Sequence, residues 1–314
     1  DMFNFGLDLF PTPRLRCYRV TPAGRCTEIN SVTVWGMRWN HDFALTKKHL
    51  VFVIDPLLPP SPIALLRTRS FAGGLEYDHQ RGHSKFVLVP RDGSKPRILE
   101  HDAQVHIHMT NAYEDGSDTV VEFVRYESFE FLKQYLGQFA ADLLARRPRH
   151  HLPRWPASHL VRFRISATGR ITEEVLTETT AIEFPQFDWR RSSIKHDITY
   201  TTSTLDPAAP YYDGIAKFDH CTGASTRYAT ALHSYGEPIF VPRRVDSSQD
   251  DGWLLALRHD LREHRSALVI LDARDLEAGP LAVAHLDHHI PIGFHGTFTS
   301  RISRREDRRA RFQP

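Results

Sequence analysis

The sequence predicts an all-β chain of short antiparallel hairpins, best arranged as a β-propeller. Three observations lead there. Short segments alternating apolar and polar residues recur along the chain, the period-2 pattern of half-buried strands. Pairs of these segments flank turns in which Gly follows a small or polar residue and supplies the positive φ that tight hairpins need. The hairpins recur about every 50 to 75 residues, a spacing that suits four-stranded blades with variable loops. A pair of β-sandwiches is the competing all-β arrangement.

Taken in order, LRCYRVTPAGRCTEI turns around Pro22, Ala23 and Gly24, and KFVLVPRDGSKPRIL turns at Asp92-Gly93. TNAYEDGSDTVVEFVRY turns near Asp115-Gly116, VRFRISATGRITEEVL at Thr168-Gly169, and GIAKFDHCTGASTRYAT near Thr222-Gly223. SALVILDARDLEAGPLAVAHL pairs two more apolar strands. Two insertions interrupt the pattern. SFEFLKQYLGQFAADLLARRP spaces Phe131, Tyr135, Phe139 and Leu143 four apart, so it reads as an amphipathic helix capping one face and ending at Arg146, Arg147 and Pro148. PLLPPSPIALLR is apolar yet rich in loop formers. It either lies under another loop or forms an exposed patch that touches a membrane.

Bulk composition narrows the function. The 314 residues carry a formal net charge of +2, so no general nucleic-acid binder is expected. The basic tail RISRREDRRARFQP reads as a solvated terminus. No apolar run is long enough to span a membrane as a helix. Cys17, Cys26 and Cys221 form no CxxC pair. They are expected to be reduced, in line with a reducing compartment, although Cys17 and Cys26 could face each other across one hairpin. Histidine is the outlier, with 19 residues.

The histidines are informative in combination. In HIHMTNAYEDG, His106 and His108 are two apart, so in a regular strand both rings point to one face. A buried imidazole must satisfy two nitrogens, and a metal is one way to do so. NHDFALT places His41 where a strand begins, and IPIGFHG sets His295 between glycines. IEFPQ and YGEPIF hold Glu183 and Glu237 in apolar surroundings, where a carboxylate needs a partner. Taken singly, each of these is more often a hydrogen-bonded or turn-bracing residue.

Together, HDFALT, HMTNAYED, EFPQ, GEPIFV and IPIGFHG occur in an order and spacing that resembles the carotenoid cleavage oxygenase family. That family includes retinal pigment epithelial membrane protein and the apocarotenoid- and stilbene-cleaving dioxygenases. The resemblance spans residues 1–299 and leaves 300–314 as the basic tail. It implies a seven-bladed β-propeller with a non-haem Fe(II) held on its axis by four histidines. His41, His108 and His295 match three of these ligands, His106 being a neighbour and not a ligand. Glu183 and Glu237 match glutamates that orient ligating imidazoles. On this reading His108 ends a strand, and NAYED turns the chain back into its blade.

The family's first ligand and first orienting glutamate have no counterpart here. The resemblance therefore implies the C-terminal part of a member, an incomplete propeller of about five blades with a helical and loop cap. Taken alone, such a chain is expected to be inactive or poorly folded, because an open propeller exposes edges. The implied activity is cleavage of a C=C bond in an apolar conjugated alkene, a carotenoid or apocarotenoid, by O2 to give two carbonyl products. The alternatives are a stilbenoid- or phenylpropanoid-cleaving dioxygenase, or a non-catalytic propeller serving as a binding or scaffold module. A zinc hydrolase is disfavoured by the lack of HExxH or a nucleophile motif. Phe43, Phe294 and Thr297 flank ligands and are candidate tunnel residues. Residues 57–66, including Leu57, Leu58 and Leu66, are the candidate membrane contact of an otherwise cytoplasmic protein.

Overall fold

The computed structural model describes residues 1–68, 74–78, 80, 82–129, 156–177, 181–205, 209 and 211–300. The first sheet has three strands, β1 (Met2–Asp8), β2 (Arg14–Val20) and β3 (Cys26–Thr33). The second begins with β4 (Ala44–Leu45) and β5 (His49–Ile54). A two-stranded ribbon of β6 (Leu57–Leu58) and β7 (Glu76–Tyr77) with helix α1 (Pro62–Thr68) is then inserted, before β8 (His83–Pro90) and β9 (Arg97–Asp102) complete the sheet. The third runs β10 (His106–Asp115), β11 (Asp118–Tyr126), β12 (Ser158–Ile165) and β13 (Ile171–Val175). The fourth runs β14 (Ala181–Gln186), β15 (Ile198–Thr204), β16 (Gly214–Asp219) and β17 (Ser225–Ala229). The fifth contains β18 (His233–Tyr235), β19 (Ile239–Pro242), β20 (Gly252–Asp260), β21 (Arg265–Asp272) and β22 (Pro280–His285); β18 and β19 both pair with β20. Pairing between these strands is antiparallel throughout.

The packing distinguishes blades from a sandwich. A sandwich has one core between two sheets, whereas here each sheet packs on the next. Leu15 and Cys17 of the first sheet meet Phe52 and Val87 of the second. Phe86 of the second joins Phe123 and Phe163 of the third. Val124 and Leu160 of the third join Ile182 of the fourth, and Tyr200 and Ile215 of the fourth join Leu254 and Val269 of the fifth. Phe123 and Phe163 are fully buried and stack with centroids 5.2 Å apart; truncating either to Ala would cost about 3–5 kcal/mol. The leading strands of successive sheets lie side by side, β4 on β10 and β10 on β14. This is the blade-to-blade order of a propeller, with the leading strands innermost.

Gly24, Gly93, Gly116, Gly169, Gly223 and Gly279 all have positive φ at hairpin turns, as the turn pattern requires. One local expectation is corrected. NAYED does not turn the chain, because β10 continues through it to Asp115 and reverses at Gly116 and Ser117. Cys17 is buried opposite Asn30, and Cys26 is exposed opposite Val20, so the two do not face each other; all three cysteines are free. The helix expected over Phe131, Tyr135, Phe139 and Leu143 and the basic tail of 301–314 lie outside the described residues. No described helix is long and apolar enough to cross a membrane.

Candidate metal centre

The three histidines singled out in the sequence converge at the inner end of the sheets. His41 lies in the loop before β4, His108 near the start of β10, and His295 in the non-strand segment after β22. Their ring nitrogens lie within 4.8 Å of one another, and Nε2 of His108 is 3.0 Å from Nε2 of His295. The His41 ring centroid is 5.1 Å from that of His108 and 6.1 Å from that of His295. His108 is buried, while His41 and His295 are exposed.

Local backbone irregularities create this convergence. The β10–β11 register shifts between His106 and Met109 and again between Met109 and Asn111. These bulges break strict alternation, and the two imidazoles take different partners. His106 Nδ1 binds Asp55 Oδ1 at 2.9 Å, and its backbone N–H donates to Asp55 Oδ2 at 3.2 Å. His108 Nδ1 instead meets Glu183 Oε2 at 2.6 Å. Glu183 sits at a further register shift, in β14, beside Phe184 with φ 53°. A non-glycine residue in that region is strained, and Pro185 after it cannot donate to the ladder. The Phe184 N–H donates to the Glu183 carboxylate, and Thr202 Oγ1 donates to the Glu183 carbonyl. Burial opposes charge on both partners, yet their mutual attraction prevails: His108 lies above the ordinary histidine range and Glu183 below the usual carboxylate range.

His295 depends on side chains for its orientation. Its Nδ1 is 3.2 Å from Glu237 Oε1, and the Gly296 N–H donates to Glu237 Oε2 at 2.8 Å. For His41 the loop is held instead. Asp42 Oδ2 accepts from the Met109 N–H at 2.8 Å and Asp42 Oδ1 from the Phe43 N–H at 2.7 Å. Asp42 thus staples the His41 loop to β10, one residue past His108. Among the described residues no carboxylate hydrogen-bonds to the His41 ring. Sequence reasoning missed Asp42, although its place beside His41 in HDF was the available signal.

The donor set fits a divalent cation. Each carboxylate takes an Nδ1 proton, which leaves the Nε2 lone pairs of His108 and His295 facing each other at 3.0 Å. Two such lone pairs need a shared proton or a cation between them, and orienting carboxylates of this kind are how proteins prepare imidazole ligands. Imidazole nitrogens suit Fe, Zn, Cu or Ni. A cavity of about 340 Å³ adjoins the three rings and is lined also by Met109, Phe184, Pro185 and Trp189. Of the three candidate tunnel residues, none lines it. Phe43 packs against Phe5 and Phe52 in the core, while Phe294 and Thr297 line a separate apolar cavity.

Glu122, His196 and His220 form a second cluster with metal-like spacing. Its hydrogen bonding argues against a metal. The Asn111 amide donates to the Arg191 and Ile194 carbonyls at 3.2 and 2.9 Å and accepts from the Ser193 N–H. Its nitrogen therefore faces His196 Nδ1 at 3.2 Å, so the proton sits on Nε2. That N–H donates to Thr199 Oγ1 at 3.0 Å, and Thr199 in turn donates to His220 Nε2 at 2.8 Å. Arg162 already pairs with Glu122 at 2.7 Å. Burial pushes His196 down to about 3 and His220 to about 4. His196 and His220 are thus a neutral, hydrogen-bonded pair that helps clamp the Asn111 motif to the loop after β14. Elsewhere among the described residues, His289 lies against His259.

The model of the family described as "Retinal pigment epithelial membrane protein" matches residues 1–300. Apocarotenoid-15,15'-oxygenase of Synechocystis sp. is 30% identical over 287 residues, covering 90% of this chain and 56% of that protein. Isoeugenol monooxygenase of Pseudomonas putida is 28% identical over 273 residues, covering 83% and 54%. The structure of a cobalt-substituted Synechocystis apocarotenoid oxygenase superposes with a TM-score of 0.79 at 25% identity, covering 93% of this chain and 59% of that one. The chain thus spans a little over half the length of the relatives it matches. Five sheets packed in sequence, three convergent histidines and a family match across nearly the whole chain lead to one conclusion: this chain belongs to the retinal pigment epithelial membrane protein family of carotenoid cleavage oxygenases.

Proposed function

We propose that the whole protein is a non-haem Fe(II) dioxygenase that cleaves a C=C bond of an apolar conjugated alkene, of the carotenoid or apocarotenoid class. One alkene and one O2 give two carbonyl products, each keeping one oxygen atom. The observation that carries this reading is the convergence of His41, His108 and His295, with Nδ1 of two of them held by Glu183 and Glu237.

Fe(II), when bound by these imidazoles, would supply the binding and activation of O2. The chain's own residues do the rest. Glu183 and Glu237 hold the Nδ1 protons, so each Nε2 lone pair points inward, and the negative charge they carry makes the rings stronger donors. Asp42 fixes the distance between the His41 loop and β10. Met109, Phe184, Pro185 and Trp189 give the cavity an apolar wall alongside its polar lining of Asp42, Gln186 and Glu237, a surface on which a hydrocarbon segment can pack. No titrating acid or base is required, since no proton leaves the alkene.

Substrate supply follows from the same reading. Leu58, Ile63, Leu65 and Leu66 are 42, 63, 39 and 79% exposed on and beside α1, a cluster suited to an acyl surface from which an apolar substrate could be drawn. Leu57 is buried, so its place in that contact is replaced by the α1 residues.

A second reading, cleavage of a phenylpropanoid or stilbenoid alkene, is favoured by the similarity to isoeugenol monooxygenase. The deciding experiment incubates the whole protein with Fe(II) and ¹⁸O2, offering an apocarotenoid and isoeugenol in parallel. Two labelled carbonyl products from the apocarotenoid support the first reading, and from isoeugenol the second. Stoichiometric failure to bind iron, with neither alkene cleaved, refutes both and leaves a propeller scaffold.

A further inference from the structure

His295, like His41, has no strand backbone to hold it. It lies outside any strand, between Gly293 and Gly296, and its side chain is 47% exposed. Its orientation must therefore come from Glu237, which is 6% exposed. What holds Glu237 becomes the question. Its Oε1 accepts from Gln186 Nε2 at 2.6 Å, and Gln186 Oε1 accepts from Trp189 Nε1 at 2.8 Å.

The direction of this relay is fixed by chemistry. Indole N–H only donates, so the Gln186 atom facing Trp189 must be the oxygen. The Gln186 NH2 group then necessarily faces Glu237. Trp189 is itself held, because it opens a 3-10 turn (Trp189–Arg191) capped by Asp188, which accepts from the Arg190 N–H at 3.1 Å. EFPQ and GEPIF, from two different sheets, are thereby joined through one amide.

We propose that Gln186, locked by the Trp189 indole, is the positioning residue that holds the Glu237 carboxylate against Nδ1 of His295. The inference rests on the metal-centre reading above. Without Gln186, Glu237 keeps its bond to the Gly296 N–H but loses the restraint on the oxygen that faces His295. Gln186→Glu would set two carboxylates against each other in a buried place, which is strongly unfavourable.

The test uses the whole protein with Co(II) alone as probe, measuring affinity by chelator competition and the visible spectrum of the bound ion. Gln186→Glu should weaken cobalt binding about 10- to 100-fold, as loss of an outer partner typically does. Trp189→Phe, at an exposed position, should weaken it by a smaller factor and alter the spectrum without changing the metal-free unfolding midpoint. Gln186→Ala alone should also weaken cobalt binding, whereas in a Glu237→Gln background it should lose nothing further, because Gln186 acts only through Glu237. Unchanged affinity in both single variants, or full additivity in the cycle, would overturn the proposal while leaving the metal centre standing. A wild-type protein that takes up no cobalt would overturn both.

Discussion

Replacing Glu183 with Gln keeps the shape of the side chain and removes one charge from behind the His108 ring. Its amide oxygen can still accept from His108 Nδ1, now bonded at 2.6 Å, and from the Phe184 N–H. What changes is the strength of that bond. A hydrogen bond to a charged acceptor is worth about 1.5–3 kcal/mol and a neutral one about 0.5–1.5 kcal/mol. The difference of about 1–1.5 kcal/mol corresponds to roughly tenfold in affinity. Loss of the carboxylate's attraction for the metal through the ring adds to this, so a decrease of about 10- to 100-fold is expected. The assay is anaerobic Fe(II) titration of the whole protein against a chelator, paired with the unfolding midpoint of the metal-free form. Unchanged affinity with an unchanged midpoint would refute the orienting role of Glu183. A loss beyond about a thousandfold would also refute it, because that magnitude belongs to a direct ligand.

Three further outcomes are expected. His108→Ala should abolish stoichiometric metal uptake, whereas His106→Ala should leave uptake intact but cost about 3–5 kcal/mol in urea unfolding, because Asp55 then stays buried without the imidazole and keeps only the backbone N–H of residue 106; equal loss of metal in both would mean that the wrong ring has been assigned. His196, held near 3 by burial, takes up a proton only when unfolded, so its contribution is fully present above about pH 6.5 and is lost as pH falls toward 3. By pH 5 the loss amounts to about 2 kcal/mol, and the stability gap between wild type and His196→Asn should narrow by about that much from pH 7.5 to 5; a constant gap would show that the ring titrates normally. Changing Ile63 and Leu66 together to Ser should reduce co-sedimentation with neutral liposomes several-fold with no change in iron content, and undiminished binding would exclude α1 as the membrane contact.

Much of the fold was legible in order along the chain. Strand alternation and turn glycines are local properties, set by side-chain pleat and by φ, and so hairpins such as those turning at Gly24, Gly93 and Gly169 could be read directly. The departures came where the backbone is irregular. Alternation placed His106 and His108 on one face, but a bulge in β10 between His106 and Met109 accompanies their different partners, and bulges carry no reliable local signature. The same holds for NAYED, which stays in the strand because Asn111 is clamped by the loop of Arg191 and Ile194, some eighty residues later.

The candidate site divides in the same way. His41, His108, His295, Glu183 and Glu237 could be named from their motifs, because residue type and sequence context are carried by the chain itself. Their pairing could not, since it is a matter of distances between sheets. Only the packed blades assign Glu183 to His108 and Glu237 to His295, give Asp42 the task of stapling two loops, and set Trp189 and Gln186 behind Glu237. They also decide that His196 and His220, which with Glu122 have ligand chemistry and ligand spacing, form a hydrogen-bonded clamp through Thr199, because the tautomer of His196 is dictated by an Asn amide whose own partners lie in another part of the chain. Residue chemistry is written locally; proton placement and ligand convergence are properties of the assembled axis.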